Sequence, residues 1–270
     1  MAVPTLAHER ITATDAAPSR WLLVLHGIYG AGRNWASVMR RFVRQRPDWG
    51  AVLVDLREHG GSRGFPPPHT LRAAAADLDA LAATLDEPVR AVLGHSFGGK
   101  VALVYARDFG RGLDQVWVVD STPAAGTPRG SAWEMLAAVR RVPDRFETRA
   151  EAVAALEAEG ISRPVGQWMS TNLIHGPDGY RWRLDFDVME SMLLDFFDTD
   201  LWPVVEAPPA RVRIHFVKAE ESAVLTEEAC ARIEEAGRRN GRVRLHRVAG
   251  GHWVNADNPQ ALEQLLVEYL

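Results

Sequence analysis

Apolar residues in this chain recur in two rhythms that take turns. Trp21-Leu22-Leu23-Val24-Leu25, Ala51-Val52-Leu53-Val54-Asp55-Leu56, Val89 to Leu93 and Gln115-Val116-Trp117-Val118-Val119 are nearly unbroken apolar runs. Runs of this length, without alternation, predict strands buried on both faces. Arg211 to Val217 and Val243 to Val248 continue the series. Between the runs the spacing becomes helical. Trp35, Val38, Met39 and Phe42 mark a helix over about 34–45, and further helices are predicted at 70–85, 98–107, 226–239 and 256–270. Residues 2–14 alternate weakly, which predicts one or two edge strands. From 124 to 205 the pattern changes. Helical periodicity fills 131–141, 148–159, 162–174 and 185–197 with no strand between, in a stretch rich in Trp, Met and Phe.

Strands that alternate with helices predict an α/β fold, a mostly parallel central sheet flanked by helices. The expected organisation is one core, 1–123 and 206–270, interrupted by a helical insertion at 124–205. Ligands of such sheets bind beyond the carboxyl ends of the strands. Four segments fall there: the Gly-rich loop His26-Gly27-Ile28-Tyr29-Gly30-Ala31-Gly32, the pentapeptide Gly94-His95-Ser96-Phe97-Gly98, Asp120, and Gly250-Gly251-His252. They are expected to share one rim.

The pentapeptide is G-x-S-x-G between a strand and a helix, the setting of a nucleophile elbow. The spacing has a steric reason. Ser96 must sit on a turn tight enough to push its hydroxyl clear of the backbone, and a residue without a β-carbon on either side lets strand and helix close up. The following helix offers free N–H groups and a positive dipole end to a developing oxyanion. A serine hydroxyl needs a general base, and the base needs a carboxylate to hold its tautomer. Of nine histidines, His252 is the candidate base, because it follows the last strand and comes after the serine and the acid in chain order. His26 reads as a structural hydrogen-bonding residue. His95 is expected to turn away from Ser96, and His59, His175, His215 and His246 carry no supporting pattern.

Composition narrows the classes. At 270 residues the chain can bury roughly three quarters of its unfolded surface. The net charge is −4 with both signs interspersed, so no basic stripe suggests nucleic acid and no polybasic segment a membrane surface. The single Cys230 has no internal partner, as expected in a reducing cytoplasm. No basic-then-apolar leader opens the sequence, and no apolar run reaches the ~20 residues of a membrane span.

The sequence resembles the α/β-hydrolase superfamily. The motifs that carry the resemblance are Leu25-His26-Gly27, Asp55-Leu56-Arg57-Glu58-His59-Gly60-Gly61-Ser62, Gly94-His95-Ser96-Phe97-Gly98-Gly99-Lys100 and Gly251-His252-Trp253-Val254. The second, of D-L-R-x-H-G-x-S form, is similar to small esterases of the YbfF type and abhydrolase-domain-11 proteins. The resemblance implies a helical cap over an acyl pocket and activity on carboxylic esters or thioesters, without metal or cofactor. It also frames the acid. Most of the superfamily places it after the strand that is here 211–217, where this chain reads Ala219-Glu220-Glu221-Ser222. Some members place it where Asp120 stands. Asp120 is therefore the first choice, Glu221 the alternative and Glu220 third. The plain structural role for Asp120 is a cap or turn residue before Ser-Thr-Pro, and for the glutamates a solvated loop charge.

The expected catalyst is a Ser96–His252–Asp120 serine hydrolase for short-to-medium acyl chains, with the backbone N–H groups of Ile28 and Phe97 as oxyanion donors. Trp168, Met169, Phe186, Met189 and Phe196 are candidate walls of the acyl pocket, or plain packing between helices and sheet. Lys100 and Arg57 read as structural. A small-molecule substrate and a monomer or homodimer are expected. The alternatives are carbon–carbon hydrolysis or lyase chemistry on a specialised intermediate, and a receptor that keeps the fold without turnover.

Overall fold

The computed structural model describes residues 4–209 and 211–270. The first half of the core runs β1 (His8–Ile11), β2 (Arg20–Leu25), α1 (Ala36–Gln45), β3 (Trp49–Val54), α2 (Leu71–Ala82), β4 (Val89–His95), α3 (Phe97–Asp108) and β5 (Gln115–Val119). Of the edge-strand stretch 2–14, only β1 forms a strand among the described residues, and residues 2 and 3 lie outside them. The apolar runs pack as their lack of alternation requires. Leu22 and Val24 point into one apolar layer with Met39 and Phe42, whereas Leu23 and Leu25 point into the other with Leu71 and Val101.

Residues 131–206 fold as α4 (Ser131–Val139), β6 (Arg145–Phe146), α5 (Arg149–Ala158), α6 (Arg163–Met169), β7 (Leu173–Gly176), β8 (Gly179–Trp182), α7 (Phe186–Asp198) and α8 (Trp202–Glu206). The expectation of helices without strands fails here. β7 and β8 form an antiparallel hairpin, β6 pairs with β8, and the helix predicted over 162–174 stops at Met169. Such two- to four-residue strands are too short for a period to show in sequence. The core then resumes with β9 (Arg213–Ala219), α9 (Glu227–Asn240) and β10 (Val243–Val248). The predicted last helix is two, α10 (Val254–Asp257) and α11 (Pro259–Tyr269). The break is chemical: Pro259 cannot continue a helix inward, and Asn258 caps the second one through Ala261 N–H.

The main sheet has the order β1-β3-β2-β4-β5-β9-β10, parallel except for β1. Its ladder continues one residue past two strands. Ser96 N–H donates to Val119 O at 3.0 Å, and Asp120 N–H to Val217 O at 2.8 Å. The elbow and Asp120 therefore end adjacent strands, held by the same backbone ladder that holds the sheet.

Candidate active site

Gly94 and Gly98 set the turn. A β-carbon on Gly94 would lie 1.9 Å from Gly98 O, and one on Gly98 would lie 2.6 Å from His26 O, so neither position admits a side chain. Ser96 between them has φ 51° and ψ −117°, a strained conformation costing about 1–3 kcal/mol that the surrounding structure must enforce. Its hydroxyl does not cap α3. Phe97 is the first residue of α3, where a backbone N–H has no intrahelical acceptor.

Asp120 is fully buried, with φ 41°. Its Oδ1 accepts from Ala219 N–H at 3.3 Å, and its Oδ2 lies 2.7 Å from His252 Nδ1. A carboxylate bonded to Nδ1 makes that nitrogen the donor and leaves Nε2 as the available base. Glu220 and Glu221 are exposed, and their backbone N–H groups extend the ladder to Val248 O and Gly250 O. They hold the loop that carries His252 through main chain alone.

His95 enters the same arrangement. It is buried, its Nε2 donates to His252 O at 2.8 Å, and its ring centroid lies 4.6 Å from that of His252. Burial, reinforced by nearby His252, lowers its pKa to about 3, so it is a neutral donor that braces His252.

The Gly-rich loop is fastened by two more neutral histidines. His26 donates through Nδ1 to Gly27 O at 2.7 Å and accepts Leu56 N–H at Nε2, 3.0 Å away. His59 donates through Nδ1 to Arg57 O at 2.9 Å and accepts Tyr29 N–H at 3.2 Å. Burial lowers the pKa of both. Tyr29, at φ 63°, also reaches across to the insertion. Its hydroxyl donates to Ala132 O at 2.9 Å, and its carbonyl accepts from Asn172 Nδ2 at 2.8 Å. His59 and Asn172 escaped the sequence reading, since both act on backbone atoms about 30 and 143 residues away. Lys100 makes a second tie. Its buried ammonium donates to Ala124 O, Phe196 O and Thr199 O at 2.8, 2.6 and 2.8 Å. Arg57 forms a bidentate pair with Asp77.

Ser96 and His252 open on a cavity of about 610 Å³, inside the range of small-molecule sites. Ile28, Tyr29, Trp35, Asn34, Trp253 and Asn255 contribute from the core, and Ser131, Ala132, Met135, Pro164, Val165 and Trp168 from the insertion. Of the five candidate wall residues only Trp168 lines it. Met169 and Met189 are wholly buried in the core, Phe196 packs on Phe97 and beneath the Lys100 ammonium, and Phe186 sits against Trp182. Helical spacing told that these side chains face inward but not which inward space they fill.

A serine on a strained strand-to-helix turn, beside a buried aspartate bonded to a late histidine, on an open parallel sheet, is the plan of the α/β hydrolases. The sequence model described as the alpha/beta hydrolase family matches residues 22–265, and the chain belongs to that family. Among its curated relatives, sn-1-specific diacylglycerol lipase ABHD11 of Xenopus tropicalis is 28% identical over 259 residues, covering 90% of this chain and 75% of that protein. Esterase YbfF of Escherichia coli (strain K12) is 24% identical over 266 residues, with 96% of each chain covered. Among solved structures, a marine microorganism esterase has a TM-score of 0.82 at 23% identity, covering 99% of this chain and 100% of that one. A thioesterase domain from the curacin biosynthetic pathway has a TM-score of 0.69 at 18% identity, covering 97% and 99%. The last two are likenesses of fold. No helix among the described residues is long and apolar enough to cross a membrane.

Proposed function

We propose that the protein is a serine hydrolase of carboxylic esters or thioesters, with Ser96 as nucleophile, His252 as general base and Asp120 as its orienting acid. Ser96 Oγ attacks the acyl carbonyl and its proton passes to His252 Nε2. The oxyanion is held by Phe97 and Ile28 N–H. The bond to the leaving group breaks, and the departing oxygen or sulfur takes the proton from Nε2. Water then adds to the acyl-enzyme carbon, giving a proton to Nε2, and the ester bond to Ser96 breaks as that proton returns to Oγ. Asp120 stabilises the imidazolium at each stage without being protonated. The observation that supports this most is the 2.7 Å contact between buried Asp120 and His252, with Ser96 and His252 on one cavity. The esterase and lipase names of the relatives agree with it.

Residues 124–205 act in this reading as a cap on the core of 1–123 and 206–270, because both parts line the cavity. Its size suits short-to-medium acyl chains. The test is hydrolysis of p-nitrophenyl esters from acetate to palmitate, with Ser96→Ala beside the wild type. Loss of the nucleophile should cost on the order of 10⁶ in kcat. Turnover that survives in Ser96→Ala overturns the assignment. A phosphonate that labels Ser96 where no ester is turned over would move the substrate to a specialised intermediate.

A further inference from the structure

The cavity joins two tryptophans from distant parts of the chain. Trp168 lies on α6 of the insertion, and Trp253 directly follows His252. Both are half-buried and both line the cavity, with ring centroids 5.2 Å apart at 41°. Among the described residues this is the aromatic contact that links the insertion to the loop of His252. The same wall has a second property. None of its described residues is a lysine or arginine. Arg163, next to wall residue Pro164, is exposed and paired with Glu157 at 3.1 Å, and Arg33, next to wall residue Asn34, is exposed outside the wall. Apart from histidines and Tyr29, whose pKa burial raises, the one titratable side chain in the wall is Asp257, whose Oδ2 accepts Gly251 N–H at 3.0 Å.

We propose that the Trp168–Trp253 pair is the specificity-determining element of the site, and that it takes uncharged esters whose apolar acyl arm lies against the two rings. The inference rests on the ester-hydrolase reading. Tryptophan faces offer a large apolar area at low entropic cost. A carboxylate or phosphate on the acyl arm would lose its water with no cation to replace it, and would face the like charge of Asp257. Acyl arms that end in an anion are thereby rejected, while chains of equal length that end in a methyl are accepted.

The test uses two esters that differ in one terminal group, p-nitrophenyl pentanoate and mono-p-nitrophenyl glutarate, on the full chain, with Ser96→Ala supplying the background. The pentanoate should have the higher kcat/KM by at least ~30-fold, the effect of a couple of kcal/mol of unbalanced charge. Trp168→Ala should lower kcat/KM on the pentanoate about tenfold, chiefly by raising KM. Trp168→Arg should shift the glutarate-to-pentanoate ratio by tenfold or more towards glutarate. Val165→Arg, on the same helix and in the same wall, should shift it the same way should Trp168→Arg not fold. Serine-dependent turnover of both esters within threefold of each other overturns the proposal and leaves the hydrolase reading standing. An arginine at either position that leaves the ratio unchanged overturns the role of this wall. Absence of serine-dependent turnover of either ester overturns the ester-hydrolase reading itself.

Discussion

Along the rim where β2, β4, β5 and β10 end, each polar side chain of the site hangs from backbone that neighbouring strands already hold. The Asp120 and Ser96 amides belong to the sheet's own ladder, and His26, His59 and His95 each bond main-chain atoms of the rim. The insertion lies against this rim and shares its apolar cluster, with Met135, Met189, Met192 and Phe196 buried among core side chains. Its helices run from 5 to 13 residues, its sheet has three strands of two to four residues, and its polar ties to the core include the Lys100 ammonium and the two hydrogen bonds of Tyr29. A rim built this way holds Ser96 and Asp120 through the sheet's own main chain. The insertion supplies Ser131, Ala132, Met135, Pro164, Val165 and Trp168 to the cavity and no strand to that ladder.

Changes in the rim should then strike rate, and changes at the ties should strike stability. The largest contrast lies within the rim itself. Asp120→Asn should cost roughly 10⁴ in kcat, with the denaturation midpoint little altered, whereas exposed Glu221→Gln should stay within about twofold of wild type. A collapse in Glu221→Gln with Asp120→Asn unaffected would transfer the acid role to the end of β9 and erase the contrast.

Acid should expose the fold's dependence on neutral histidines, those of the rim and also His215 and His246, which lie within β9 and β10 against Trp117. Burial holds His95 and His215 down to about 3 and His246 to about 4, and it lowers His26 and His59 as well. These groups remain neutral when folded while the unfolded chain takes up protons below about 6.5. The unfolded state then binds more protons, so stability is complete above that pH and falls as the pH drops from about 6.5 towards 4. His95, His215 and His246 should each contribute up to about 1.4 kcal/mol per pH unit, read from urea midpoints at pH 7.0 and 5.5. A flat profile would mean that the histidines charge without loss of the fold.

The smallest effect tests the tie. Lys100→Met leaves three buried carbonyls without their donor and should lower unfolding free energy by about 2–4 kcal/mol, part of the loss being offset because the ammonium no longer has to be desolvated. Early proteolytic cuts within 124–199 would locate the loosening in the insertion. Unchanged stability would make the tie incidental.

The same contrast explains what could be read in advance. The five-residue apolar runs of β2 to β5 stated a buried parallel sheet, and G-x-S-x-G between a run and a helical pattern located the elbow, because those signals are local and strong. The hairpin at 173–182 left no period to read, and Asn258-Pro259 divided a helix whose apolar spacing ran on unbroken. Met169, Met189 and Phe196 are buried and Phe186 is half-buried, and none of the four lines the cavity. Hydrophobic spacing reports that a side chain is buried and carries no information on whether it meets protein or a vacant pocket.

Sequence by itself determined the family, the alternation of strand and helix, and the strand ends where Ser96, Asp120 and His252 stand, since each depends on residues within a few positions of one another. Tertiary structure alone decided which acid meets His252, that His95 braces it and His59 fastens Tyr29, and that Trp168 reaches Trp253. Those outcomes depend on strand order and on contacts between residues 30 to 157 positions apart, distances over which a linear pattern has no way to record which groups the fold brings together.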